Sequence, residues 1–191
     1  NMGQMLSPEF GDLDADGDLD LLVGDFNGFI QYFENNGSNN SISFTFIENV
    51  GDIDLSGNSV PALGDLDLDG DLNLLIGQLN GTLVFYRNTS SSPSQYNFQE
   101  EPFDNIVVGS NSAPELIDQD NDGDLDLILG SGEDGLLFYW NDNSNFQLSS
   151  HLEVPVIGIN AKPAVGQLFN SAMIDIITGL STGGIYHLQL E

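Results

Sequence analysis

Aspartates at alternate positions, gathered around one glycine, set the chemistry this chain can do. The run Asp12-Leu-Asp14-Ala-Asp16-Gly17-Asp18-Leu-Asp20 returns as Asp65-Leu-Asp67-Leu-Asp69-Gly70-Asp71-Leu-Asn73. It returns again as Asp118-Gln-Asp120-Asn-Asp122-Gly123-Asp124-Leu-Asp126, with 53 residues between copies each time. Such alternation aims the carboxylates at positions one, three and five into one concavity, and a glycine at position six permits the sharp turn. Position seven offers a backbone carbonyl and position nine a closing side-chain oxygen. Carboxylates this close repel one another unless a cation sits among them. The expected cofactor is Ca2+, about three ions.

Composition agrees with that chemistry. The 191 residues hold 30 acids against two bases, Arg87 and Lys162, for a formal charge of −28. Fourteen of the acids belong to the three loops, so three divalent ions would bring the charge to about −22. A chain with two bases cannot neutralise phosphates, which excludes nucleic acid as a partner. Binding to anionic lipid is not expected on the same ground, and no direct membrane insertion is expected. There is no cysteine, so metal rather than disulfide is the expected staple. Calcium loops of ordinary affinity fill outside cells, and the expected location is extracellular or at the cell surface. No signal peptide, membrane-spanning run or lipidation motif is present. A chain that opens at Asn1 is expected to be a mature chain or a fragment.

The elements that must position the loops are short strands. Leu19 to Gly24 reads as a strand, Asn27-Gly28 as a two-residue hairpin turn, and Phe29 to Phe33 as the returning strand. A polar loop then leads to Ser43–Ile47, which alternates like an edge strand. The second copy repeats this with Leu72–Gly77, Asn80-Gly81, Thr82–Tyr86 and an outer strand from Tyr96. The third repeats it with Leu125–Gly130, a turn at Glu133-Asp134-Gly135, Leu136–Trp140 and an outer strand from Phe146. A fourth copy aligns Pro163–Gly166 and Ile174–Gly179, but Gln167, Phe169, Ser171 and Met173 replace the acids and only Asp175 survives. No metal is expected there. Its return is Ile185–Leu188, and no outer strand follows.

A unit of about 50 residues with four short strands predicts a radial array. The expected fold is all-β: a β-propeller of four-stranded antiparallel blades, about four here with the last incomplete, alone or as part of a larger ring or assembly. The chain is read as one propeller domain with blades at about 1–50, 51–104, 105–154 and 155–191.

An EF-hand shares Asp-x-Asp-x-Asp-Gly but requires a glutamate at position twelve and flanking helices. Val23, Ile76 and Leu129 stand there, each in a strand. The full pattern closes on an aromatic and an asparagine: Phe33-Glu-Asn35, Tyr86-Arg-Asn88 and Tyr139-Trp-Asn141. It resembles the FG-GAP/VCBS repeat, the calcium-binding β-propeller unit of integrin α subunits and many bacterial surface proteins. The resemblance implies side-chain ligands at positions one, three, five and nine, and a main-chain ligand at seven. It therefore points to Asp12, Asp14, Asp16, Asp18 and Asp20; to Asp65, Asp67, Asp69, Asp71 and Asn73; and to Asp118, Asp120, Asp122, Asp124 and Asp126. Asn73 departs from the acidic pattern, so the second site should be the weaker.

Other candidates carry less. Asp52-Ile-Asp54-Leu-Ser56 half-imitates the loop and reads as an ordinary turn. His151 and His187 lack a paired-ligand pattern. Tyr32-Phe33 and Tyr139-Trp140 fit packing between blades better than sugar stacking. Asn36, Asn39, Asn80 and Asn88 match the glycosylation acceptor pattern. No nucleophile elbow or separated acid–base pair is present, and two bases are too few for lyase chemistry, so no catalysis is expected. The expected role is a structural or adhesive scaffold or interaction module. The partners would be a protein or glycan at the cell surface, or a second copy pairing with the incomplete blade. The alternatives are a lectin-type propeller and a non-catalytic part of a polysaccharide-active enzyme.

Overall fold

The computed structural model describes all residues except 1–2, 38–40, 52, 54, 56, 93–94, 104, 143–144, 153–159, 167–172, 182 and 191. The fold is all-β, four antiparallel sheets arranged as the blades of a β-propeller. Blade one is β1 (Ser7–Gly11), β2 (Asp20–Gly24), β3 (Ile30–Asn35) and β4 (Phe44–Asn49), paired in chain order. Blade two is β5 (Val60–Gly64), β6 (Asn73–Gly77), β7 (Leu83–Asn88) and β8 (Phe98–Glu101). Blade three is β9 (Ala113–Ile117), β10 (Asp126–Gly130), β11 (Leu136–Asn141) and β12 (Phe146–Leu152). Blade four has three strands, β13 (Lys162–Gly166), β14 (Ile174–Gly179) and β15 (Ile185–Leu190).

The apolar runs of the second strands follow from this stacking. A strand inside a blade is covered on both faces by neighbouring blades, so it reads as a continuous hydrophobic run rather than an alternation. Leu74 and Ile76 of β6 point to blade one, where they meet Leu22 and Tyr32, with Ile53 of the connecting segment in the same cluster. Leu75, between them, points to blade three and meets Leu127 and Leu129. Ile128 of β10 points the other way, to Ile174 and Ile176 of blade four. Each such fully buried side chain contributes about 1.5–3 kcal/mol. The outer strand β4 is exposed along its whole length.

Polar contacts stitch the blades at one corner. Ser59 Oγ accepts from Asp25 N at 2.9 Å and bridges to the Phe29 carbonyl at 2.8 Å. Ser112 repeats this with Gln78 N at 2.8 Å and the Thr82 carbonyl at 2.7 Å. Gly24 and Gly77 make that approach possible, because a Cβ on either would overlap the carbonyl oxygen of Ser59 or Ser112.

The hairpin between second and third strands differs from the expected two-residue turn. Strand pairing stops at Gly24 and resumes at Ile30, leaving a five-residue connection closed by Asp25 N to the Phe29 carbonyl at 3.1 Å. A two-residue type I′ turn needs positive φ at both central residues, and of Asn27 and Gly28 only Gly28 has it, at 93°. Asp25 Oδ1 holds the connection instead, accepting from Asn27 N at 2.9 Å and Phe29 N at 3.1 Å. The half-loop acids Asp52 and Asp54 lie outside the described residues.

The innermost strands bring together titratable groups. Glu9 Oε1 accepts from Leu63 N of the next blade at 3.1 Å, and Glu115 repeats this with Val165 N at 3.3 Å. Burial pushes the Glu9 carboxyl up to about 7, and the charge of Glu115 adds to the effect. Burial raises Glu115 and lowers Lys162, whose Nζ donates to Ser7 Oγ at 2.9 Å.

A raised carboxyl makes the native state the better proton binder between the unfolded and folded values. Stability at Glu9 is therefore lost as pH rises from about 4.5 to about 7. Since Glu9 is only half-buried, Glu9→Gln should exceed the parent by a solvent-discounted ~1–2 kcal/mol at about pH 8 and match it near pH 4. Urea midpoints of both proteins at the two pH values test this. A difference that does not grow with pH would refute it.

Candidate metal centre

Each acidic loop connects the first strand of a blade to its second. The corner is built by aspartates accepting from the loop's own backbone. Asp12 Oδ1 accepts from Asp16 N at 3.2 Å and Oδ2 from Gly17 N at 3.1 Å. Asp65 does the same with Asp69 N at 3.1 Å and Gly70 N at 3.0 Å, and Asp118 reaches Gly123 N at 3.2 Å. The glycines at position six take φ of 95°, 96° and 101°, where any other residue would be strained. Position four is also left-handed, at Ala15 (56°), Leu68 (57°) and Asn121 (62°). Only Asn121 is a residue type suited to that conformation.

Position nine is the best-buried of the alternating polar positions in each loop, an acid at Asp20 and Asp126 and an amide at Asn73. Asp20 Oδ2 accepts from Leu13 N and from the Tyr32 hydroxyl, each at 3.1 Å, while Oδ1 accepts from Asn35 N at 2.9 Å. Asp126 repeats the clasp with Gln119 N at 3.0 Å and Asn141 N at 2.8 Å. Asn73 keeps half of it: Oδ1 accepts from Leu66 N at 2.8 Å, but Nδ2 is a donor and stands buried without a partner. These bonds join the loop's second residue to the end of the third strand. Position nine is thus a structural clasp whatever else it binds.

Three acids of each loop converge. Carboxylate oxygens of Asp12, Asp14 and Asp20 lie within 4.8 Å of one another, as do those of Asp65, Asp67 and Asp69, and those of Asp118, Asp120 and Asp122. Asp16 Oδ1 accepts from Asp18 N at 2.9 Å, with Asp69–Asp71 and Asp122–Asp124 alike. Asp18, Asp71 and Asp124, at position seven, fall outside the three converging groups, as do Asp16 in loop one and Asp126 in loop three. Burial, then the neighbouring carboxylates, raises Asp14 and Asp67. Burial also raises Asp126. Asp67 Oδ1 and Asp118 Oδ1 are buried with no hydrogen-bond partner. Oxygen-only clusters holding orphaned carboxylate atoms fit a hard divalent cation, which takes six to eight oxygen ligands.

Position nine of blade four also survives as a clasp. Asp175 is buried and its Oδ1 lies 2.6 Å from His187 Nε2 and 2.9 Å from Gln189 Nε2. His187 stands in the register position of Tyr32. Its pairing was not visible in the sequence, because its partner lies on an adjacent strand. The loop expected to be metal-free lies outside the described residues, as do Asn39 and the side chain of His151. Asn88 is buried and accepts from Ser90 N and Asn97 N. Tyr32 packs edge-on against Tyr96 at 5.3 Å between the first two blades.

The serines and asparagines of the stitched corner were missed. Ser59 and Ser112 recur at the same 53-residue period as the loops. Asn58 and Asn111 do too, both with positive φ and joined at 2.9 Å. That shared period was the available signal.

Asp126→Ala should cost ~2–4 kcal/mol even in excess chelator, because two backbone N–H groups lose a charged acceptor. Asp126→Asn, which copies blade two, should cost about half as much. Denaturant unfolding in EGTA measures both, and an Asp126→Asn variant as stable as the parent would show that the clasp does not depend on the second oxygen.

A family model described as an FG-GAP-like repeat matches residues 12–76, from the first acid of loop one to strand β6. Comparison with curated proteins gives no match.

Proposed function

We propose that this chain is an extracellular, calcium-stabilised β-propeller that serves as a structural or adhesive scaffold, not a catalyst. The observation that carries the reading is an acidic corner made three times, with three carboxylates converging in each and a buried carboxylate oxygen without a donor in loops two and three. The match to an FG-GAP-like repeat over the first two loops supports it. Asp12, Asp14, Asp16 and Asp20, with their counterparts in loops two and three, would supply side-chain oxygens. Asp18, Asp71 and Asp124 would supply backbone carbonyls. Bound calcium would neutralise the loop and tie the end of the first strand to the start of the second. No helix among the described residues is long and apolar enough to cross a membrane.

If calcium holds the corners, removing it should lower the thermal midpoint by on the order of 10–20 °C. Calorimetry in excess calcium and in excess EGTA reads this directly, and an unchanged midpoint would count decisively against the proposal.

The interaction role rests on the two ends of the array. Inside it, Leu63 and Leu72 of blade two seat on Gly11, and Leu116 and Leu125 of blade three seat on Gly64. Phe10 and Leu19 stand in register with those leucines on blade one and are 54% and 57% exposed. On blade four, no described atom approaches within 4 Å of where a side chain would stand at Gly166 or Gly179, and Ile185 is 75% exposed. These are the two halves of an interface made repeatedly inside the chain. Their proposed occupant is a second copy, blade one against blade four, a head-to-tail arrangement. Light scattering should find species above monomer mass that Phe10→Glu dissociates. A monomer at all concentrations would exclude this partner.

A further inference from the structure

We infer that loop two carries its own cation, and that Arg87 makes its metal site at least ten-fold weaker than the other two. The inference rests on the calcium reading of the loops and concerns what distinguishes one copy from its neighbours.

The three loops look alike in sequence but differ in what the third strand brings beside them. Arg87 lies on β7, and its Nη1 contacts Asp67 Oδ2 at 2.9 Å. Its Nε lies 3.3 Å from Glu101 Oε2 on β8, so the guanidinium is held between an acid of the loop and an acid of the outer strand. By strand register the same position is Glu34 in blade one and Trp140 in blade three. Glu34 is close enough to add its charge to the field at Asp14. Loop one thus has five acids with Glu34 beside them and loop three has five, whereas loop two has four acids, the neutral Asn73 and a guanidinium that it shares with Glu101.

Position nine acts in the same direction. Asn73 replaces a carboxylate with an amide whose Nδ2 is buried and unpartnered. Where Asp20 and Asp126 present a second acceptor oxygen, blade two presents an N–H donor. A divalent ion at loop two therefore meets fewer negative ligands and a positive charge one carboxylate away. With Asp67 largely buried and Arg87 41% exposed, a repulsion at that range is worth roughly ten- to a hundred-fold in affinity. The same guanidinium keeps the loop partly neutralised when no ion is present. Few residues could play this part, because the chain has only two bases.

Calcium titration of the 191-residue chain by calorimetry tests the inference. The parent should bind two ions tightly and a third at least ten-fold more weakly. Asp65→Ala should delete the weak step and leave the tight ones. Arg87→Gln should move the weak step towards the tight class, whereas Arg87→Lys should leave it weak. Asn73→Asp should tighten it with Arg87 untouched, which keeps the test decisive should Arg87→Gln fold poorly. Three equivalent sites in the parent, or a weak step unmoved by both Arg87→Gln and Asn73→Asp, would overturn it. Absence of any calcium binding would overturn the underlying reading of the loops as well. A weak step that Asn73→Asp tightens and a folded Arg87→Gln leaves unmoved would overturn only the role of Arg87.

Discussion

Repulsion among carboxylates is the constraint on which the blade corners depend. Two unit charges separated by the 4.8 Å that bounds each cluster repel by about 1 kcal/mol in water and roughly 3–4 kcal/mol at the dielectric of a protein surface. Three such groups at one corner, made three times, are a large liability in a chain with two bases. The chain counters it locally. Loop N–H groups point at the carboxylates of positions one, three and five, clasp N–H groups point at position nine, and in blade two Arg87 is added. What these donors leave uncompensated is what makes each corner a place for a cation.

The acids divide into two kinds. Positions one and nine mainly shape the protein: one caps the turn at position six, and nine ties the loop to the far end of the third strand. Position three has little backbone to satisfy and faces the concavity, where Asp14 and Asp67 are raised by burial and by their neighbours. The survival of Asp175 alone in blade four follows from this division. Its partners are His187 and Gln189, so it has structural work once the rest of the acidic pattern is gone.

Much of this was legible in the residues. The 53-residue spacing of the loops and the apolar runs after them reveal the blades, because a strand covered on both faces must be hydrophobic throughout. The antiparallel order of each blade follows from the short connections. What was hidden depends on contacts between strands or blades. Asn27-Gly28 looked like a two-residue turn, but Asp25 captures the intervening N–H groups and widens it to five residues. The left-handed Ala15 and Leu68 have no compositional mark, since the loop's geometry imposes their φ. Ser59 and Ser112 look like ordinary turn residues until the next blade is in place. Arg87 follows the blade-closing aromatic, and nothing local shows that its head reaches Asp67.

Taken blade by blade, these devices thin out along the chain. The first two interfaces each have a serine hydroxyl bridging two backbone segments, whereas the third has Ala161 in that place and keeps the backbone bonds from Ala161 N to the Ser131 carbonyl at 3.1 Å and from Asn160 N to the Gly132 carbonyl at 3.3 Å without the hydroxyl bridge. The first strand is mostly buried in blade two, but Lys162 to Gly166 in blade four has no fully buried residue. Blade four also lacks the acidic sequence of the loop and has three strands among the described residues. In an array whose units mainly touch their neighbours, here with one further bond from Lys162 of blade four to Ser7 of blade one, stability is approximately a sum of unit and interface contributions. Blade four has the smallest share of both. The cohesion of the propeller is therefore concentrated in blades one to three, and the open face of blade four is where an added neighbour would contribute most.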